Sequence, residues 1–275
     1  MKTDLLLIPM GAHWTDMRAA AVAADEAGFD GVWTWDHLRD PEGDPAGVPE
    51  CLTTLAALAE ATKRVSLGSL VLNVSNRHPG LLANMAATLQ QISGGRFIVG
   101  LGAGGGRRTP YAREQEGLGL SVEADPVRAE RVAEAAQILR RLWAGDPSSF
   151  AGRHYSLDRP SGYLRCDPAP PIVIGGFGPR MAAIAGKYGD GFNTQARHPQ
   201  LAELGRIARD EHQALGRDPS RFSLSVFAGL ASAWLRADSE NRAALTRMGV
   251  DRLILLTEPP YDPAQIRAAG RVLAG

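Results

Sequence analysis

Residues 171–188 read PIVIGGFGPRMAAIAGKY. Three β-branched residues, Ile172 to Ile174, run without alternation into a glycine-rich turn, and Pro179 opens an alanine-rich stretch. An unbroken apolar run suits a strand buried on both faces, which points to a parallel sheet covered by helices. Proline fits the first position of a helix, where its missing N–H has no intrahelical partner anyway. The unit is therefore strand, turn, helix.

The rest of the chain repeats it. LLLI (5–8), FIVG (97–100) and LILL (253–256) are further continuous apolar runs. Strands are predicted at 4–10, 31–35, 65–73, 96–103, 171–175, 191–195, 222–229 and 252–257. Helices are predicted at 14–28, 51–63, 79–93, 126–144, 179–188, 199–215, 239–248 and 263–273. Eight β-α units in 275 residues fit a closed (β/α)8 TIM barrel of parallel strands, filling 1–275 as a single domain. A doubly wound open sheet is the competing architecture. Asp125 before Pro126, Asp238 and Asp262 read as helix N-caps, Gly145 as the stop of the helix after Trp143, and Gly28 and Gly216 as left-handed helix ends. Two connections are long: 104–124 after strand four, and 146–170 before strand five, which holds a candidate hairpin at Phe150–Asp158.

Composition narrows the class. With 30 basic and 30 acidic residues, the chain has no general affinity for nucleic acid or anionic membrane. Cys51 and Cys166 are too few for a disulfide scaffold, and no clustered His/Cys set suggests a metal. The apolar run Leu5–Ile8 is too short for a signal peptide, so a reduced, cytoplasmic protein is expected. His198 and His212 read as solvated.

In such a barrel the active site gathers at the C-terminal ends of the strands. After strand two stands Asp36-His37. A histidine beside a carboxylate suits proton transfer near neutral pH, although a turn cap beside an exposed ring is the plainer reading. After strand four, VGLGAGGGRR (99–108) contains Gly-x-Gly-x-x-Gly, but RRTPYAREQEGLG offers no helix start before Pro126, so a dinucleotide fingerprint is a poor fit. These glycines better suit the close approach of backbone to a flat ligand. After strand five, Gly175, Gly176 and Gly178 precede Pro179 and Arg180. A helix start of this kind binds phosphate, or is simply a tight turn.

GFDGVWTWDHL (28–38), RHPGLLANMAATLQQISGGRFIVGLGAG (77–104), AERVAEAAQILRRLW (129–143) and PIVIGGFGPRMAAIAG together resemble the luciferase-like flavin/deazaflavin oxidoreductase superfamily. The likeness is greatest to the branch using coenzyme F420, a 5-deazaflavin. The resemblance implies a TIM barrel carrying the deazaflavin across its mouth, with a small-molecule substrate stacked on it. It implies that Asp36 contacts the cofactor, His37 relays a proton, and Asn73 hydrogen-bonds the ring. Ala103 and Gly104 would offer backbone to the ring, while Gly175, Gly176, Pro179 and Arg180 would hold the phosphate tail. It also implies a homodimer, and a non-proline cis peptide near Leu70–Val71. Two features depart from the sugar-phosphate dehydrogenases of that branch. Gly105 stands where they carry a glutamate, and only Lys2, Lys63 and Lys187 exist to match their phosphate-binding lysines. An FMN-dependent monooxygenase of the same superfamily is the alternative, and a non-catalytic flavin-binding protein the alternative of another class.

Overall fold

The computed structural model describes residues 1–41 and 47–274. The chain runs β1 (Lys2–Leu7), α1 (Trp14–Glu26), β2 (Gly31–Thr34), α2 (Cys51–Ala61), β3 (Ser66–Ser69), β4 (Leu72–Asn73), α3 (Pro79–Ile92) and β5 (Phe97–Gly102). There follow α4 (Ala112–Gly117), α5 (Asp125–Ala144), the short strands β6 (Phe150–Ala151) and β7 (Ser156–Leu157), β8 (Ile172–Gly175) and α6 (Pro179–Tyr188). The last part comprises β9 (Gly191–Gln195), α7 (Leu201–Ala214), β10 (Ser223–Gly229), α8 (Ser232–Leu235), α9 (Glu240–Arg247), β11 (Arg252–Thr257) and α10 (Pro263–Ala274).

All pairings of the main sheet are parallel, in the order β3-β2-β1-β11-β10-β9-β8-β5, and β3 pairs with β5 to close the barrel. Alternation along the strands sorts their side chains. Leu5 and Leu7 join the large cluster beneath the helices, whereas Leu6, Ile8, Trp33, Leu70 and Ile254 form a separate cluster in the barrel interior. Near the N-terminal end, Trp33 Nε1 donates to Asp4 Oδ2 at 2.6 Å, and Arg252 pairs with the same carboxylate. Burial pushes the Asp4 carboxyl up against the opposing pull of Arg252. Gly68 is the residue that fits opposite Trp33, since a Cβ there would lie 2.1 Å from the indole.

The strand predicted at 65–73 is two pieces. The peptide Leu70–Val71 is cis, and β4 resumes on the other side of it to pair with β5. Its Val71 side chain fills the space left by three glycines. A Cβ on Gly102 would lie 2.2 Å from Val71, one on Gly175 2.9 Å and one on Gly100 3.3 Å. The expected hairpin is present as β6 and β7, paired antiparallel.

Other expectations need correction. The 104–124 connection is not free of helix, because α4 lies within it. Helix α5 starts at Asp125 with Ala124 as its cap residue, so Asp125 instead faces Arg128 at 2.9 Å. Asp238 pairs with Arg236, leaving Ser239 as the cap of α9, whereas Asp262 accepts from Ala264 N as a cap should. His212 is buried at 5% exposure against Phe222, because it falls on the inward face of α7. Gly28, Gly145 and Gly216 do adopt positive φ.

Candidate functional site

The residues following β2, β4, β5 and β8 meet at the C-terminal mouth. Asp36, 3% exposed, ties two of these segments together. Its Oδ2 accepts Asn73 N at 2.9 Å and Arg77 Nη1 at 2.7 Å, and its Oδ1 accepts Arg77 Nη2 at 2.7 Å. Arg77 also pairs with Glu50, whose carboxylate caps α2 by accepting from Leu52 N and Thr53 N. The bidentate fork suits a guanidinium and no other cation. Flanked by these carboxylates, Arg77 is held more firmly protonated than usual despite its burial. Burial pushes Glu50 up, but the donors from Thr53 and the Arg77 charge outweigh it and leave the carboxyl below its ordinary range.

A lowered carboxyl pKa adds stability that is present above the unfolded value, near 4.3, and lost as pH falls through the folded one. Thermal unfolding followed from about pH 6 down to pH 3 should therefore show a falling midpoint. Glu50→Gln should be less stable at neutral pH, with a shallower fall.

Asn73 is 4% exposed. Its Oδ1 accepts from Ser75 N at 2.9 Å, while its Nδ2 donor is buried without a partner among the described residues. Gly104 lies against this amide at φ +73°, and a Cβ there would sit 2.4 Å from Asn73 Oδ1. Arg128 reaches across from α5 and takes up the carbonyls of Ala103 (2.7 Å) and Gly104 (2.6 Å). Asp36, Asn73, Ala103 and Gly104 are thus brought into one patch.

His37 stands at its edge. Its Nδ1 lies 3.2 Å from Glu114 Oε2 and 3.3 Å from Oε1, and Leu38 N donates to Glu114 Oε2 at 3.0 Å. Tyr111 stacks on the ring with centroids 4.5 Å apart, and Trp35 meets it edge-on at 5.9 Å. Trp35 in turn packs with Met10, Val71, Phe227 and Leu256 on the inner apolar cluster.

Gly175 joins the patch through Val71. Beyond it, α6 begins at Pro179 with Gly178 as cap residue and no side chain satisfying its first turn. Arg180 stands in that turn, its guanidinium 3.0 Å from Glu130 on α5. His154, 2.9 Å from the same carboxylate, together with Arg153 and Arg180 holds Glu130 below the usual carboxylate range. Sequence reasoning missed Arg77, Glu50, Arg128, Glu114 and Tyr111. Arg77 had a local signal, since it directly precedes the His78-Pro79 start of α3, whereas Glu114 meets His37 from 77 positions away and Arg128 reaches the Ala103 and Gly104 carbonyls from 25 and 24.

The mouth of the parallel barrel thus brings together a glycine-lined patch, the Asn73 amide and a helix start without a side-chain cap. The chain belongs to the luciferase-like monooxygenase family, which it matches over residues 4–271. It is 36% identical over 182 residues to an F420-dependent glucose-6-phosphate dehydrogenase of Microbacterium testaceum, covering 66% of this chain and 52% of that protein. It is 33% identical over 203 residues to an F420-dependent hydroxymycolic acid dehydrogenase of Mycobacterium tuberculosis, covering 74% and 55%. The chain thus spans about half the length of these curated relatives. Among solved structures, an F420-dependent secondary alcohol dehydrogenase in complex with an F420–acetone adduct superposes with a TM-score of 0.84. It is 23% identical and covers 100% of this chain and 99% of its own, a likeness of fold.

Proposed function

We propose that this chain is an F420-dependent oxidoreductase that carries the deazaflavin across the barrel mouth and exchanges a hydride between it and a small organic substrate. The observation that carries the reading is the buried, unpartnered Nδ2 of Asn73 beside Gly104. A buried donor left unpaired costs free energy that a ring carbonyl or nitrogen recovers. The names of the relatives support the choice of cofactor.

The deazaflavin would supply the two-electron redox chemistry, and the protein the binding and the proton. Asn73 would donate to the ring. Gly104 would turn its N–H to it, because Arg128 engages the Ala103 carbonyl on the opposite edge of the same peptide plane, and Ala103 would offer its backbone beside it. Asp36 would act on the same site by holding the Asn73 backbone and Arg77. Gly175, Gly176, Pro179 and Arg180 would receive the phosphate, drawn by the positive end of α6. His37 would give or take the proton that accompanies hydride transfer.

The substrate we infer is not a sugar phosphate held through lysines. All three lysines lie at the end of the barrel away from the mouth: Lys2 opens β1, Lys63 precedes β3, and Lys187 is in the last turn of α6. Partly buried Met10, Trp35, Val71, Phe227 and Leu256 pack on the apolar cluster of the barrel interior. Oxidised coenzyme F420 mixed with the protein and a panel of uncharged alcohols should lose its visible absorbance with at least one of them, and not with glucose 6-phosphate. Rapid bleaching by glucose 6-phosphate alone would overturn the substrate reading.

A further inference from the structure

We propose that Glu114 is the positioning residue for His37: it fixes the imidazole proton on Nδ1 and leaves Nε2 as the nitrogen that exchanges protons with a bound molecule. The inference deepens the proposed function and rests on its reading of His37 as the proton relay.

Glu114 is 5% exposed and comes from α4, in the long connection after β5. Its Oε2 takes the Leu38 N–H at 3.0 Å, which locks the carboxylate against the backbone just past His37. The same oxygen lies 3.2 Å from His37 Nδ1. A carboxylate accepts and does not donate, so this contact is favourable only when Nδ1 carries a proton. In a neutral imidazole the single proton is then on Nδ1, and Nε2 bears the free lone pair.

The plane of the ring is fixed by the same segment. Tyr111, three residues before Glu114, stacks on it at an interplanar angle of 23°, and Trp35 closes its edge at 89°. Turning the ring over would break the contact with Glu114. Connection 104–124 therefore reaches the site through Tyr111 and Glu114, beside the residue read as the proton relay.

The test is the tautomer of His37, read by long-range ¹⁵N–¹H correlation on the full chain without cofactor, at a pH where the imidazole is neutral. The wild type is expected to show the Nδ1–H form. Glu114→Ala is expected to shift His37 to the Nε2–H form. Glu114→Gln should keep Nδ1–H, because its amide oxygen can accept from both Leu38 N and Nδ1. Glu114→Met serves in place of the alanine variant should the smaller side chain loosen the segment. With coenzyme F420 and a substrate, Glu114→Ala should lose turnover by about 10²-fold at little-changed coenzyme affinity, as expected for a misplaced reacting group, and Glu114→Gln should recover most of it. Retention of the Nδ1–H form in Glu114→Ala, or in Glu114→Met where that stands in, would overturn the proposal. Absence of any turnover in the wild type, with the tautomer shift intact, would instead count against the functional reading and leave the role of Glu114 standing.

Discussion

His37→Ala is expected to lower turnover by roughly 10²–10⁴-fold, the range that a general acid or base contributes, while coenzyme affinity stays near that of the wild type. The separation follows from the layout of the mouth. The donors assigned to the coenzyme are the Asn73 amide and the backbone of Ala103 and Gly104, which depend on Asp36 and Arg128 for their placement. His37 hangs from a different set of contacts, Glu114, Tyr111 and Trp35. Removing the imidazole leaves the first set in place. Steady-state rates paired with a coenzyme titration of the same preparation measure both quantities. Equal turnover in the variant would remove His37 from the chemistry.

Arg77→Leu is expected to cost about 3–5 kcal/mol of stability, because breaking a buried ion pair on one side leaves the other charge uncompensated. The Asp36 side chain is fully buried, and Arg77 supplies two of the three hydrogen bonds it accepts from the described residues. Glu50 loses its cation in the same variant, which loosens the start of α2. Arg77→Lys should fall between, since an ammonium cannot make both bonds of the fork. Denaturant unfolding gives the stabilities. Coenzyme affinity should fall in Arg77→Leu as well, because Asp36 also holds the backbone of Asn73. A variant as stable as the wild type would show that Asp36 is compensated by some other group.

The barrel was legible because its signal is local. Unbroken apolar runs such as Leu5–Ile8 and Leu253–Leu256 announce strands buried on both faces, and Gly145 or Pro179 mark helix ends by backbone geometry alone. The break in the third strand left no trace in hydrophobic periodicity, since Leu70 and Leu72 are apolar on either side of it. His212 was misread because a polar residue on a polar helix looks solvated until the helix is docked. At the mouth, strand-end position and the family resemblance together singled out Asp36, His37, Asn73 and Gly104, and the structure brings Asp36, Asn73 and Gly104 into contact. The residues that hold them were not legible: Glu114 is 77 positions from His37 and Arg77 is 41 from Asp36, and no spacing rule links such pairs. Glu50 was hidden for another reason, because glutamate is not a customary helix cap.

The central claim is that the mouth is built for a deazaflavin. Its most direct test is a fluorescence titration of the purified protein with coenzyme F420 and, separately, with FMN. Selective saturable binding of F420, weakened in an Asn73→Ala variant whose fold is intact, is the predicted result. Binding of FMN alone would contradict the account and place the chain with the oxygen-using monooxygenases. Binding of neither would remove the reading of Asn73 and the α6 helix start as a cofactor cradle.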